Sequence, residues 1–338
     1  MSPQPLDLIA KPNEHAFAPF VRILGKGKTG SRALTRDEAH TAMRMILQGE
    51  VKEVQLGAFL MLLRVKEESA DELTGFVEAA REVIAAPNDI DSHIDWSSYA
   101  GKRKHLPWFL LSALALADNG QRVFMHGASG HTKGRMYTEN VLNALGIEAA
   151  TTWPKVSAAL DQTNFAFMPL RNLCPPLQAM IDLRNDLGLR SPVHTLVRLL
   201  NPLRAPYSLQ SIFHPAYALH HQNASAGLGQ PHSSVFKGEG GEVERKPEAL
   251  CKVYSVHDGI LSEEAWPKLI DGRQEQVENL DIEHLRNVWR GEACDEYGEL
   301  AIIGTLAIAL RLLGKVTNCD EAMRLANDYW EGRNRDRL

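Results

Sequence analysis

The chain has 338 residues, of which 44% are hydrophobic, and its formal net charge is −5. That length and apolar content allow a large buried core and favour two domains of unequal size. No run approaches the roughly 18 uninterrupted apolar residues that a membrane span requires. Residues 1–14 also lack the basic-then-apolar order of a signal peptide, so we expect a cytoplasmic protein without a membrane partner. The four cysteines form no C-x-x-C pair, which argues against a disulfide framework and a thiolate zinc site.

The first 85 residues carry the patterns of helices. Thr35 and Glu38 have the spacing of a capping box, which predicts that one helix begins there. An apolar helix is predicted over residues 54–63, and its apolar residues on every side indicate burial on more than one face, which would allow it to pair with a second subunit. Ser69 begins a third helix by the same capping rule. We therefore expect a helical domain over residues 1–85.

Beyond residue 86, short runs of β-branched and aromatic residues alternate with helical patterns. Residues 122–125 follow the predicted helix 108–117, and residues 251–256 form a later run of the same kind. This alternation is typical of a mainly parallel sheet flanked by helices. Two helices end the chain, with Thr317 as the cap of the last one. The predicted fold class is α/β, with a small N-terminal helical domain and a larger domain over residues 86–338.

Charge is unevenly distributed along the chain. Residues 101–135 contain six Lys or Arg against one acid, Asp118, whereas residues 258–296 contain eleven Asp or Glu against four Lys or Arg. Local fields of this kind influence which ligands approach a surface. The two segments predict a basic face and an acidic face.

Two stretches resemble the anthranilate phosphoribosyltransferase family. Residues 49–64 contain GEV, QLGAFLM and LR in the order of that family's helical-domain signature, and residues 184–191 read RNDLGLRS, followed by Asn201 and Pro202. The resemblance covers almost the whole chain. It implies a small helical domain on a larger α/β domain, a cleft between the two, and a homodimer joined through the helical domains.

The family's phosphate-binding loop is altered in this sequence. Where the resemblance implies a G-T-G-G-D loop, residues 98–105 read SYAGKRKH and keep a single glycine, Gly101. The N-x-S-T positions of the following helix align with Pro107, Phe109 and Leu110, whose side chains donate no hydrogen bond to a phosphate. The residues that would hold pyrophosphate are therefore largely missing.

Two further motifs of the family are reduced. K-H-G-N-R aligns with Met125 to Ser129, so that the Lys and the Asn are absent. The magnesium motif aligns with residues 241–243, where Glu242 alone remains of an acidic pair, and one carboxylate holds hydrated magnesium weakly. Glu242 is thus a weak metal candidate that Glu239 could assist. We expect no cofactor, with magnesium only if the chain is an enzyme.

Eight basic residues are retained or gained around the altered motifs. Three occupy the former glycine loop, two lie in the next loop, and three belong to the RNDLGLRS stretch or follow it. Lys and Arg beside a polyanion give affinity without reading base sequence. The predicted phosphate-binding residues are Lys102, Arg103, Lys104, Lys133, Arg135, Arg184, Arg190 and Arg198.

Three aromatic residues, Tyr99, Trp108 and Phe109, lie beside this basic segment. If exposed, they would stack on nucleobases. The alternative is that Trp108 and Phe109 belong to the core of an ordinary helix. Of the two interpretations, we favour the helix core for Trp108 and Phe109.

The resemblance includes a divergent branch that keeps the fold, lacks the phosphoribosyl pyrophosphate motifs and is associated with nucleic acid. We therefore expect a homodimer without catalytic residues that binds DNA or RNA, preferably single-stranded, through a basic cleft and without sequence specificity. The alternative is an active pentosyl- or phosphoribosyltransferase with an altered acceptor and a phosphate site rebuilt from Lys and Arg. A third interpretation is a protein-interaction scaffold that uses the helical domain.

Overall fold

The computed structural model of the protein describes residues 8–272 and 280–338. Residues 273–279 of the acidic segment 258–296 and residues 1–7 of the N-terminus lie outside the described residues. The α-helices of the described ranges are α1 Ala18–Gly25, α2 Arg36–Leu47, α3 Glu53–Lys66, α4 Ala70–Ile84, α5 Phe109–Asp118, α6 Thr138–Ala144, α7 Trp153–Thr163, α8 Leu170–Leu173, α9 Pro175–Asp182, α10 Arg184–Leu187, α11 Val193–Leu196, α12 Ala218–Gly227, α13 Ile282–Arg290, α14 Glu296–Leu312 and α15 Cys319–Glu331.

Within residues 8–272 and 280–338, the strands form a single seven-stranded sheet. They are β1 Ile94–Ser98, β2 Val123–Gly127, β3 Phe165–Pro169, β4 Tyr207–Ile212, β5 His232–Lys237, β6 Cys251–His257 and β7 Ile260–Trp266. Their order is β3-β2-β1-β4-β5-β6-β7. The first five are parallel, and β6 and β7 add to β5 as antiparallel strands. The predicted fold class is confirmed.

A helical unit comprises the residues up to Ala85 together with Cys174–Leu200. The two predicted capping boxes are confirmed, because Thr35 caps α2 and Ser69 caps α4, each with the glutamate three residues later. Helices α2 and α4 pack so closely that a Cβ added at Gly75 would lie 2.2 Å from the carbonyl oxygen of Arg36. Glycine at this position therefore allows the two backbones to approach.

Segment 174–200 joins the helices, although the sequence analysis assigned it to the larger domain. Within the unit, Nε of the buried Arg81 on α4 donates to the carbonyl oxygen of Leu200 at 2.6 Å. Helix α11 also packs against α4 and α9. These contacts connect residues far apart in sequence, which is why the division at residue 85 missed them.

The α/β unit comprises Ala86–Leu173 and Asn201–Leu338. Its core includes α5 and α14, both buried along almost their whole length, and Ser112 of α5 donates to the carbonyl oxygen of Ile302 on α14 at 3.1 Å. Helix α15 is capped by Asn318, whose side chain accepts from the Glu321 amide, so the prediction of Thr317 as the cap was wrong. In the described residues, no helix is long and apolar enough to span a membrane.

Candidate functional site

The candidate site lies at the carboxyl edge of the parallel strands of the α/β unit. The segment 99–105 follows β1, Phe213 follows β4, and Lys237 is the last residue of β5. Open α/β sheets bind their ligands at this edge, because loops with polar backbone groups converge there. A cavity of about 470 Å³ opens among these loops.

The carboxylate of Glu242 is bound by the loop that follows β1. Its Oε1 accepts from the amides of Ala100 at 2.7 Å and Gly101 at 2.5 Å, and its Oε2 accepts from the Ser98 hydroxyl at 2.9 Å. Glu242 itself is buried. Paired backbone amides in such a turn are a typical anion site. Here the protein's own carboxylate fills that site.

Glu244 occupies a second anion-binding feature, the N-terminus of α5. Its Oε2 accepts from the amide of Phe109, the first residue of α5, at 3.0 Å, and its Oε1 lies 2.5 Å from Nζ of Lys102. Burial raises the pKa of Glu244 to about 7, against the opposing effects of Lys102 and the Phe109 amide. A helix N-terminus favours an anion, and this one already has a carboxylate partner.

These contacts do not favour magnesium at Glu242. Both of its oxygens accept hydrogen bonds from the chain, and Glu239, its predicted assistant, lies 4.0 Å from the ammonium of Lys246 instead. Over residues 8–272 and 280–338, no group of three or more His, Cys, Asp or Glu side chains is arranged to hold a metal ion. The donor set that magnesium needs, several converging oxygens, does not fit this site.

The cavity carries exposed positive charge. Arg103, Lys104 and Lys237 are exposed and line it, and within the described ranges no carboxylate forms an ion pair with any of the three. Lys246 also lines it but lies 3.1 Å from Glu248. The cavity therefore presents three exposed cations that have no carboxylate partner among the described residues, which suits an anionic ligand.

Apolar side chains line another part of the same cavity. Phe213 is 48% exposed and Leu250 is 63% exposed. The ring of Phe213 lies against Gly241, since a Cβ added there would be 3.5 Å from the Cβ and Cδ2 of Phe213. The cavity thus combines cations with an exposed aromatic ring.

The predicted basic residues have different structural roles. Lys102 is 1% exposed and pairs with Glu244, so its charge is not available to a polymer, and its assignment as a phosphate ligand is corrected. Arg103 and Lys104 line the cavity, and their role as phosphate ligands stays a prediction. Nη1 of Arg135 lines the cavity but donates to the carbonyl oxygens of Ala100 and Gly101, both at 2.9 Å. Arg135 therefore braces the loop that holds Glu242.

The other four predicted residues do not line this cavity. Lys133 is exposed on the α/β unit. Arg184 and Arg190 are half-buried in the helical unit, and Arg198 of that unit is buried, with its Nε donating to the carbonyl oxygen of His194 at 3.2 Å. Burial of Arg198 corrects its assignment to an open basic surface.

The three predicted aromatic residues are core residues. Tyr99, Trp108 and Phe109 are at most 2% exposed, and the hydroxyl of Tyr99 lies 2.6 Å from Nδ1 of the buried His126. None of them offers a ring face to a base. Sequence reasoning missed Phe213 and Lys237, although their positions at the ends of β4 and β5 were the available signal.

Comparisons with known proteins match both units. The glycosyl transferase family, helical bundle domain, matches residues 20–83, and the glycosyl transferase family, a/b domain, matches residues 109–332. An anthranilate phosphoribosyltransferase of Methylobacterium nodulans is 30% identical over 327 residues, which span 92% of this chain and 93% of the relative. An uncharacterized protein of Escherichia coli K12, YbiB, is 31% identical over 242 residues, which span 70% of this chain and 75% of the relative.

Solved structures share the fold. Anthranilate phosphoribosyltransferase from Thermus thermophilus superposes with a TM-score of 0.76 at 21% identity and covers 94% of each chain. The enzyme from Saccharomyces cerevisiae, in complex with PRPP and Mg, superposes with a TM-score of 0.77 at 15% identity and covers 96% of each chain. At such identities the likeness concerns the fold alone.

Proposed function

Since the chain belongs to the glycosyl transferase family that joins a helical bundle domain to an α/β domain, we propose that it uses the family's fold to bind DNA or RNA. The cavity at the carboxyl edge of the sheet contacts backbone phosphates and reads no base sequence. In this proposal the chain does not transfer a phosphoribosyl group.

One observation carries the proposal: internal carboxylates occupy the buried anion sites, while the cations around them face the cavity. Glu242 accepts hydrogen bonds from the amides after β1, and Glu244 accepts one from the first amide of α5. A compact pyrophosphate would have to displace these carboxylates from buried positions. Arg103, Lys104 and Lys237 need no such displacement to contact phosphates.

The physical basis is counterion release. Each phosphate that a Lys or Arg neutralises on a single strand releases condensed cations, and log K falls with log salt by about 0.7 per contact. Three exposed cations therefore give a slope change of about 2. The overall charge of −5 does not oppose this, because the local field of the cavity governs the approach of the phosphates.

The test is fluorescence anisotropy with a labelled single-stranded oligonucleotide over a salt series. We expect the triple variant Arg103→Ala, Lys104→Ala, Lys237→Ala to lose at least about tenfold in affinity and about 2 in salt slope. A matched control is Lys155→Ala, Lys315→Ala, Arg324→Ala, which removes the same charge from exposed positions that do not line the cavity. Absence of binding at low salt, or equal losses in both triple variants, would overturn the proposal.

We also propose that the chain forms a homodimer through α3. Val54, Ala58 and Val65 are exposed at spacings that place them on one face of this helix, and the two valines are 76% and 86% exposed. Light scattering at micromolar concentration should give twice the monomer mass, and Val54→Lys with Val65→Lys should give the monomer. Ile260→Lys, at an exposed position on β7, is the control. A monomeric wild-type protein would contradict the dimer.

The second candidate function is transfer of a pentosyl or phosphoribosyl group. One relative, aligned over 92% of this chain, is an anthranilate phosphoribosyltransferase, which favours this function. The cations of the cavity also favour it, because cations can stabilise a departing pyrophosphate. Pyrophosphate release from phosphoribosyl pyrophosphate, with anthranilate or nucleobases as acceptors and with or without magnesium, tests it directly. If the wild-type protein releases pyrophosphate and the triple variant of Arg103, Lys104 and Lys237 does not, the chain is a transferase and the proposal that it only binds nucleic acid is wrong.

A further inference from the structure

We propose that the cavity takes one unstacked nucleotide of a single strand, with its base on the ring of Phe213 and its phosphate against Lys237, Arg103 and Lys104. The inference rests on the proposed function and deepens it. It assigns the ligand as single-stranded nucleic acid and names Phe213 as the residue that distinguishes a single strand from a duplex.

The aromatic ring and the cation line the same cavity. Ile212 of β4 pairs in register with Lys237 of β5. Phe213 follows Ile212 directly, so that Phe213 and Lys237 lie at the ends of neighbouring parallel strands, and both side chains contribute to the cavity. A nucleotide has the complementary arrangement, because its flat base is attached through the sugar to an anionic phosphate.

The ring of Phe213 is held in place from behind. Gly241 has a positive φ of 89°, and a Cβ at this position would lie 3.5 Å from the Phe213 side chain and 3.2 Å from Ala100. The ring also forms a T-shaped pair with the ring of His214, at a centroid distance of 4.9 Å. These neighbours cover only part of the side chain, since Phe213 is 48% exposed, and the residue lines the cavity. A ring that is already ordered loses little conformational entropy when a base stacks on it.

The size of the cavity limits what can enter it. A volume of about 470 Å³ falls in the range of pockets that enclose small organic ligands. A single nucleotide fits this class of ligand, whereas a base in a duplex reaches such a pocket only after unpairing and unstacking. Duplex DNA would therefore contact the exposed cations without using the ring.

The decisive experiment compares a single strand, its duplex and an abasic strand of the same length and charge, all by anisotropy at one salt concentration. We expect Phe213→Ala to weaken single-strand binding by roughly 5- to 100-fold, the range of one base–aromatic stack, and duplex binding by less than about twofold. Wild-type protein should bind the abasic strand as weakly as Phe213→Ala binds the natural one. Phe213→Trp should retain the single-strand preference.

Two further variants keep the test interpretable. Phe213→Leu retains apolar bulk without a ring and should behave like Phe213→Ala, and Leu219→Ala removes an exposed apolar side chain outside the cavity and should change nothing. If Phe213→Ala and Phe213→Leu leave single-strand affinity unchanged, or weaken single strand and duplex equally, the inference is overturned. The proposed function would survive that result provided that the triple cation variant still loses affinity. If wild-type protein binds no nucleic acid at low salt, both fall.

Discussion

Lys102 and Arg103 are neighbours in the chain, yet the side chain of Lys102 is buried in the protein interior and that of Arg103 is exposed beside an open cavity. The backbone of Lys102 exchanges two hydrogen bonds with Met136, at 2.8 and 2.7 Å, and its ammonium pairs with Glu244 inside the fold. Arg103 and Lys104 are exposed and line the cavity. Consecutive basic residues in a sequence therefore need not have the same role, because the local backbone decides which of their side chains reach solvent.

The largest expected change in the free energy of unfolding distinguishes Lys102 from Arg103. Lys102→Met should leave Glu244 as an uncompensated buried carboxylate and lower the free energy of unfolding by about 3 kcal/mol or more at pH 8. Arg103→Met should change it by less than about 0.5 kcal/mol. Urea denaturation of the two variants measures the difference. Equal stabilities would mean that Lys102 is not part of the interior.

The next largest change in stability is expected for Glu242, whose carboxylate accepts hydrogen bonds from the loop after β1. Glu242→Ala leaves the amides of Ala100 and Gly101 and the Ser98 hydroxyl without their acceptor, which should cost about 3 kcal/mol. Glu239→Ala, in the same loop but beside the half-buried Lys246, is the matched control and should cost less than about 1 kcal/mol. Thermal denaturation checks both variants. A Glu242→Ala protein as stable as the control would show that the amides find another partner.

Stability should depend on pH through Glu244. A carboxyl group with a raised pKa in the fold holds its proton more tightly there than in the unfolded chain. Its stabilisation is complete below about pH 4.5 and is lost as the pH rises through about 7. Between these values, the free energy of unfolding of the wild type should fall by up to roughly 1 kcal/mol per pH unit relative to Glu244→Gln. Parallel stability curves for the two proteins would refute the assignment.

The smallest expected change in stability concerns Arg135 and Lys133, two residues of the loop that follows β2. Arg135→Ala removes donors from the carbonyl oxygens of Ala100 and Gly101 and should cost about 1 kcal/mol. Lys133→Ala, two residues earlier and exposed, should change stability by less than about 0.5 kcal/mol. Denaturant unfolding resolves this difference. A larger loss for Lys133 than for Arg135 would contradict the bracing role.

Local patterns predicted much of the fold. The capping boxes at Thr35 and Ser69 depend on residues three positions apart, and the structure confirms both. The alternation of short apolar runs with helices depends on the same short range, and it predicted a mainly parallel sheet. Segment 174–200 clusters with the helical unit through contacts such as Arg81 to Leu200, which join residues more than one hundred positions apart and therefore leave no local pattern in the sequence.

The candidate site could be predicted only in part. Arg103 and Lys104, which line the cavity, were predicted from their position in the altered loop, and the loss of phosphate-binding side chains stays a prediction that rests on the family resemblance. Phe213 was missed because its position after a strand indicates a site only in combination with the sheet order, which places β4 beside β5 and Lys237. Tyr99 and Trp108 were plausible stacking residues until their burial was seen.

By itself, the sequence determined the family, the two kinds of domain and the type of charge near the altered loop, since these are properties of residue identity and short spacing. Only the tertiary structure decided where each charge lies. Glu242 and Glu244 are distant in sequence from the amides that they occupy, at separations of more than 130 residues. Pairing over such separations depends on the closed fold, and it is this pairing that leaves the remaining cations facing the cavity.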